Sequence, residues 1–127
     1  MQTRTVKVNE GKENEKEFTF ICAYRSNRSG FVHECELHIG AQTFENKIQY
    51  YNRTWECYTY QSVMKGALYN YKEYVLNHLK ANFLAERGYS RMTPKLRVDF
   101  DVLCAENPQL AEIETVNKEL DHNSSWW

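Results

Sequence analysis

The stretch that decides the fold is Glu17-Phe18-Thr19-Phe20-Ile21-Cys22-Ala23-Tyr24-Arg25, in which Phe18, Phe20, Cys22 and Tyr24 occupy every second position. Successive side chains of a strand point to opposite faces, so this spacing predicts a half-buried β-strand. Ser26-Asn27-Arg28-Ser29-Gly30 is rich in turn formers. The pattern then resumes, with Phe31, Cys35, Leu37 and Ile39 on one face and Glu34, Glu36 and His38 on the other. The two halves read as an antiparallel hairpin with one apolar and one wet face. After Gly40, the segment Thr43 to Tyr51 alternates again, setting Phe44, Ile48 and Tyr50 against Glu45, Lys47 and Gln49. Upstream, Thr3 to Val8 reads as a short edge strand, and the polar run Asn9 to Lys16 reads as a loop.

Downstream, the period changes from two to nearly four. Val63, Ala67, Tyr71, Val75, Leu79 and Phe83 recur every four residues, supported by Met64, Leu68 and Leu76. Thr59 is a plausible N-cap and Gly88 a plausible stop, giving a helix of about 40 Å at 1.5 Å per residue, long enough to cross a sheet. Thr93-Pro94 opens a second helix carrying Leu96, Phe100 and Leu103, which Asn107-Pro108 breaks. A third, from Pro108 to Leu120, carries Leu110, Ile113, Val116 and Leu120. The expectation is one α+β domain over residues 1–127, with a three- to four-stranded antiparallel sheet covered by one long helix and two shorter C-terminal helices.

At 127 residues the chain has the size of one domain, which argues against a multidomain enzyme. Apolar residues at 42% and charged residues at 26% are ordinary globular usage. No long uncharged apolar run and no basic-then-apolar leader is present, so neither a membrane span nor a secretory signal is expected, and the expected compartment is the cytoplasm. Lys plus Arg number 16 and Asp plus Glu 17, for a net charge of -1, far from the basic balance of a phosphate-binding protein. The charge is uneven. After Arg97, seven acids (Asp99, Asp101, Glu106, Glu112, Glu114, Glu119 and Asp121) face Lys118 alone, so residues 98–127 carry -6 and residues 1–97 carry +5. With Leu96, Phe100, Leu103, Leu110, Ile113 and Val116 as the buried stripe, Asp99, Asp101, Glu106, Glu112, Glu114 and Glu119 are expected to stand mostly in water. They form either a solvated face or a surface that steers a basic partner.

Cys22, Cys35, Cys57 and Cys104 lack the spacing of a disulfide scaffold and read as buried thiols. His33 and Cys35 would share a strand face, but two ligands do not close a zinc site, and no other cysteine-enzyme signature accompanies them. Glycine-rich phosphate loops, paired-carboxylate motifs and nucleophile elbows are absent from the sequence, so no enzymatic activity, metal or cofactor is expected. The densest local signal is Tyr50-Tyr51-Asn52-Arg53-Thr54-Trp55-Glu56-Cys57-Tyr58-Thr59-Tyr60. Trp55 and Tyr50 read as packing at a strand-to-helix junction, whereas Tyr51, Arg53 and Tyr58 are candidates for a contact surface. Arg25, Asn27 and Arg28 form a small basic tip that is either a solvated turn or a phosphate contact.

The strings Gly30-Phe31-Val32-His33 and Lys47-Ile48-Gln49-Tyr50-Tyr51-Asn52-Arg53-Thr54-Trp55-Glu56 resemble a pattern in small proteins of phages and mobile elements of Gram-positive bacteria, some of which sit among anti-CRISPR genes. The resemblance covers about residues 17–65. It implies a non-enzymatic protein that binds a defence effector in the cytoplasm of the bacterial host, such as a type II RNA-guided nuclease with its guide RNA. Direct nucleic-acid binding is not expected at this net charge. The expected partner-binding residues are Tyr51, Arg53 and Tyr58 in the aromatic segment and Glu112, Glu114 and Glu119 in the acidic run, which could imitate phosphate spacing. The alternative is a small nucleic-acid-binding accessory protein using Arg25, Arg28, Arg53 and the nearby tyrosines.

Overall fold

The computed structural model describes residues 1–28, 30–50 and 60–122. Among these, strands β1 (Gln2–Val8), β2 (Lys16–Asn27), β3 (Gly30–Ile39) and β4 (Gln42–Tyr50) precede helices α1 (Tyr60–Arg87), α2 (Pro94–Glu106) and α3 (Pro108–His122). The strands form one antiparallel sheet in the order β1-β2-β3-β4. The α+β architecture is the one the hydrophobic periodicity calls for. Gly40, at φ +58, takes the first position of the two-residue turn between Ile39 and Gln42, where a left-handed backbone suits glycine.

Register places the apolar sets of neighbouring strands on one face. Phe20 lies opposite Leu37, Cys22 opposite Cys35, and Leu37 opposite Phe44. Val6, Val8, Phe18, Phe20, Cys22, Cys35, Leu37 and Ile39 are all buried there against Val63, Met64, Ala67, Leu68, Tyr71 and Val75 of α1 and Ile113, Val116 and Leu120 of α3. Two helices therefore cover the sheet. The long helix lies over β3 and β4, and α3 lies beside it against β1, where Arg4 Nη2 donates to the Glu119 carbonyl at 2.8 Å.

One close approach seats α1 on β4. A Cβ added to Gly66 would sit 1.9 Å from Asn46 Nδ2, so only glycine accommodates that side chain, which donates to the Val63 carbonyl at 3.2 Å. Asn46 occupies a helix-facing position of β4 between Phe44 and Ile48, and this bond satisfies its amide there.

The last turns of α1 run past this core. Phe83 and Leu84 instead bury against Leu96 and Phe100 of α2 in a second, smaller cluster, with the Phe83 and Phe100 rings 5.3 Å apart edge to face. Gly88, at φ +70, ends α1 with Tyr89 N–H donating to the Leu84 carbonyl at 3.0 Å. The expected N-cap at Thr59 and the packing of Trp55 lie outside the described residues.

Candidate protein-docking surface

Two caps fix where α2 and α3 begin. Thr93 Oγ1 accepts from Leu96 N–H at 3.2 Å, with Pro94 in the first helical position where no N–H is needed. Asn107 serves both helices. Its backbone N–H donates to the Cys104 carbonyl at 3.2 Å, closing α2, and its Oδ1 accepts from Leu110 N–H at 3.0 Å, opening α3. The bend between them is thus held by one residue followed by Pro108.

Helix α2 buries a narrow seam. Leu96 and Phe100 are inside and Cys104 packs against them, four residues apart along one stripe. Leu103, expected in that stripe, is instead 40% exposed, because it lies about 100° around the helix from Cys104. Val98 and Val102, at 64% and 54% exposed, form an apolar ridge one turn apart on the side turned away from α1. Asp99, Asp101 and Glu106 are exposed around it, so the helix presents apolar and acidic groups together. Arg97 Nε lies 3.5 Å from Asp101 Oδ1, and Lys95 is exposed on the same helix.

Behind the ridge, α1, α2 and α3 enclose an open groove of about 700 Å³. Leu76, Phe100, Cys104 and Leu110 supply its apolar lining, and Lys80 and Glu114 are among its charged groups. Burial, reinforced by the Asp101 charge and opposed by Arg97, pushes the Cys104 thiol above its ordinary range. At neutral pH it stays a thiol and behaves as a small apolar group.

The structure separates the three acids Glu112, Glu114 and Glu119. Glu114 is exposed and lines the groove, whereas Glu119 is exposed near β1. Glu112 corrects the expectation that it stands in water. It is 9% exposed, accepts from Lys16 Nζ at 2.8 Å and from Asn9 Nδ2 at 2.7 Å, and so ties the β1–β2 loop to α3. Its spacing explains this. Glu112, Val116 and Leu120 recur every four residues on the face that packs against the sheet. The periodicity was present in the sequence, but a charge run hides it.

The other predicted positions divide by region. Tyr51, Arg53 and Tyr58 lie outside the described residues, as do Trp55 and Cys57. On the basic tip, Arg25 Nη2 is 2.6 Å from Glu34 Oε1 on the outer face of the sheet, and Arg28 is exposed. His33 and Cys35 share the helix-facing side, as expected, but Cys35 meets Cys22 across the strands. A hydrogen bond from that neighbour, followed by burial, holds the Cys35 thiol far above its ordinary range. Such a thiol does not furnish the thiolate that nucleophilic chemistry requires. His33 packs between Tyr24 and Tyr60, at ring distances of 4.9 and 5.3 Å, and burial lowers its pKa.

Among the described residues, no three His, Cys, Asp or Glu side chains gather as a metal site, and no helix is long and apolar enough to cross a membrane. The residues missed by sequence reasoning are Val98 and Val102. Their signal was an offset of two positions from the Leu96–Phe100 stripe, which turns them to the opposite side of the helix. Comparison with protein-family models, with curated proteins and with solved structures found no match to the chain.

Proposed function

We propose that this chain is a non-enzymatic, protein-binding inhibitor of a bacterial defence effector, with a type II RNA-guided nuclease and its guide RNA as the target and the cytoplasm of the bacterial host as its place of action. The target class rests on the likeness of residues 17–65 to phage and mobile-element proteins, some of them in anti-CRISPR loci. The observation that supports the binding mode is the α2 ridge, where Val98, Val102 and Leu103 are exposed among Asp99, Asp101 and Glu106. Exposed apolar groups offer contact area to a partner, and the acids beside them complement the basic channel a nuclease keeps for nucleic acid. Glu114, on α3, lines the groove behind the ridge rather than the ridge itself. Glu112, being buried and paired, contributes by holding α3 in place.

A purified type II nuclease, with and without guide RNA, tests the reading directly. The wild-type chain is expected to bind and to associate more slowly as salt rises. The combined change Val98→Ser, Val102→Ser, Asp99→Asn and Glu106→Gln is expected to weaken binding by roughly tenfold or more while leaving the thermal midpoint nearly unmoved. Binding untouched by those changes would relocate the contact to the segment containing Tyr51, Arg53 and Tyr58. Steeply salt-dependent binding to free DNA or RNA, without the nuclease, would favour an accessory nucleic-acid-binding role instead.

A further inference from the structure

We propose that two copies of this chain pair through their β4 edges, antiparallel, with Asn46 opposite its own copy at a two-fold axis. Among the described residues the sheet is open, and β4 is one of its edges, paired to β3 on one side. Such an edge presents unpaired N–H and C=O groups, which proteins commonly protect with charged side chains. Here the charges have opposite sign two residues apart, Glu45 and Lys47, both exposed on the same face. A single lysine repels a second copy, but this pair complements itself.

The register follows from symmetry. A two-fold antiparallel pairing sets one residue opposite itself and every other residue opposite its mirror position. With the axis at Asn46, Glu45 meets the second copy's Lys47 and Lys47 meets its Glu45. In the same register Phe44 meets Ile48, both half-buried in one copy, and Thr43 meets Gln49. Moving the axis to Glu45 or to Lys47 sets like charges against each other, which destabilises a cross-strand pair. Glu45 has no ion pair within its own chain among the described residues. Lys47 lies 3.9 Å from Glu34, whose closer partner is Arg25. Both charges are therefore available across an interface.

The flanks suit the same arrangement. Tyr74 of α1, 38% exposed, stands edge-on to Phe44 at 5.4 Å and widens the apolar rim beside the strand. Asn70 Nδ2 donates to the Glu45 carbonyl at 2.8 Å, and that oxygen retains a second lone pair for an incoming strand. The other edge is a poorer match. The charges on β1 are both positive, Arg4 and Lys7, and Arg4 is engaged by the Glu119 carbonyl of α3. Pairing at β4 joins the two sheets into one, with both α1 helices on the same face.

Sedimentation equilibrium of the full chain over about 10 to 300 μM is the test, since self-association follows mass action. The wild type is expected at the mass of two chains, and a single-chain mass throughout overturns the proposal. Lys47→Glu and Glu45→Lys each place like charges at both symmetry-related contacts, so each is expected to weaken pairing by roughly tenfold or more. Mixed together, the two variants regain complementary contacts and should form a one-to-one heterodimer by native mass spectrometry. A persistent dimer in either variant alone, or no heterodimer on mixing, overturns the register. Should either single variant lose the wild-type circular dichroism spectrum, the Glu45→Lys/Lys47→Glu chain decides. It is expected to pair with itself and not with the wild type, and free mixing with the wild type overturns the assignment.

Discussion

The two hydrophobic clusters of this protein differ in what encloses them. The larger is a sheet face closed by α1 and α3, in which Phe18, Phe20, Leu37, Met64, Val116 and Leu120 are fully buried. The smaller is a seam between the overhanging end of α1 and α2, with Phe83, Leu84, Leu96 and Phe100 inside and water on most other sides. A sheet offers every second side chain of several strands to one interior, whereas two helices touch along a single stripe. The lesson is a division of labour. The sheet side carries most of the buried apolar surface, and that leaves α2 free to keep Val98, Val102 and Leu103 outside.

The comparison breaks first under truncation of one ring in each cluster. Phe18→Ala removes a fully buried ring that meets Tyr71 edge to face at 5.8 Å, and should cost about 3–5 kcal/mol, visible as a large drop in thermal midpoint. Phe100→Ala empties a thinner site whose walls can collapse, and should cost about 2–3 kcal/mol. Hydrogen exchange should separate the two. In the Phe100 variant, amides of residues 94–106 should lose protection while those of β2 and β3 keep theirs. Equal loss across the sheet would mean that the two clusters form one cooperative unit.

A smaller effect distinguishes the acids. Glu112→Gln leaves the half-exposed Lys16 ammonium without its carboxylate and should cost about 1–3 kcal/mol. Glu114→Gln and Glu119→Gln, both on exposed positions, should each stay within about 0.5 kcal/mol. A silent Glu112→Gln in chemical denaturation would show that the β1–β2 loop is held to α3 by something other than this pair.

The strands and helices were legible because their periods are clean. The alternation of Phe18, Phe20 and Cys22 and the four-residue spacing from Val63 to Phe83 each admit one secondary structure. Gly88 and Thr93-Pro94 act through local backbone chemistry that a sequence displays directly. What stayed hidden depends on partners distant in the chain. Glu112 is buried because Lys16 and Asn9 come to meet it, and Gly66 is needed because Asn46 of β4 presses on α1. Neither residue advertises a remote neighbour. Leu103 falls at helical spacing with Leu96 and Phe100, yet the seam between two helices is too narrow to reach it. The candidate surface was legible as a charge run but not as a shape, since exposure of Val98 and Val102 follows from how α2 is set against α1.

The last contrast is in response to acid, and it places the sensitive group on the sheet side. His33 is buried between Tyr24 and Tyr60, and burial lowers its pKa below the ordinary value of 6.5. The unfolded chain therefore binds a proton at this residue more readily than the folded one. Stability from this source is complete above pH 6.5 and is lost as pH falls from there toward and past the folded-state pKa, by at most about 1.4 kcal/mol per pH unit. Urea unfolding at a series of pH values from 7.5 down to 5 should show the loss, and His33→Gln should flatten that part of the profile. Because the histidine sits over β2 and β3, acid should lower amide protection in those strands as well as in the α1–α2 seam, each rate being taken relative to the unprotected chain at the same pH. Protection lost only in the seam, with that of β2 and β3 unchanged, would assign the acid sensitivity to groups other than His33.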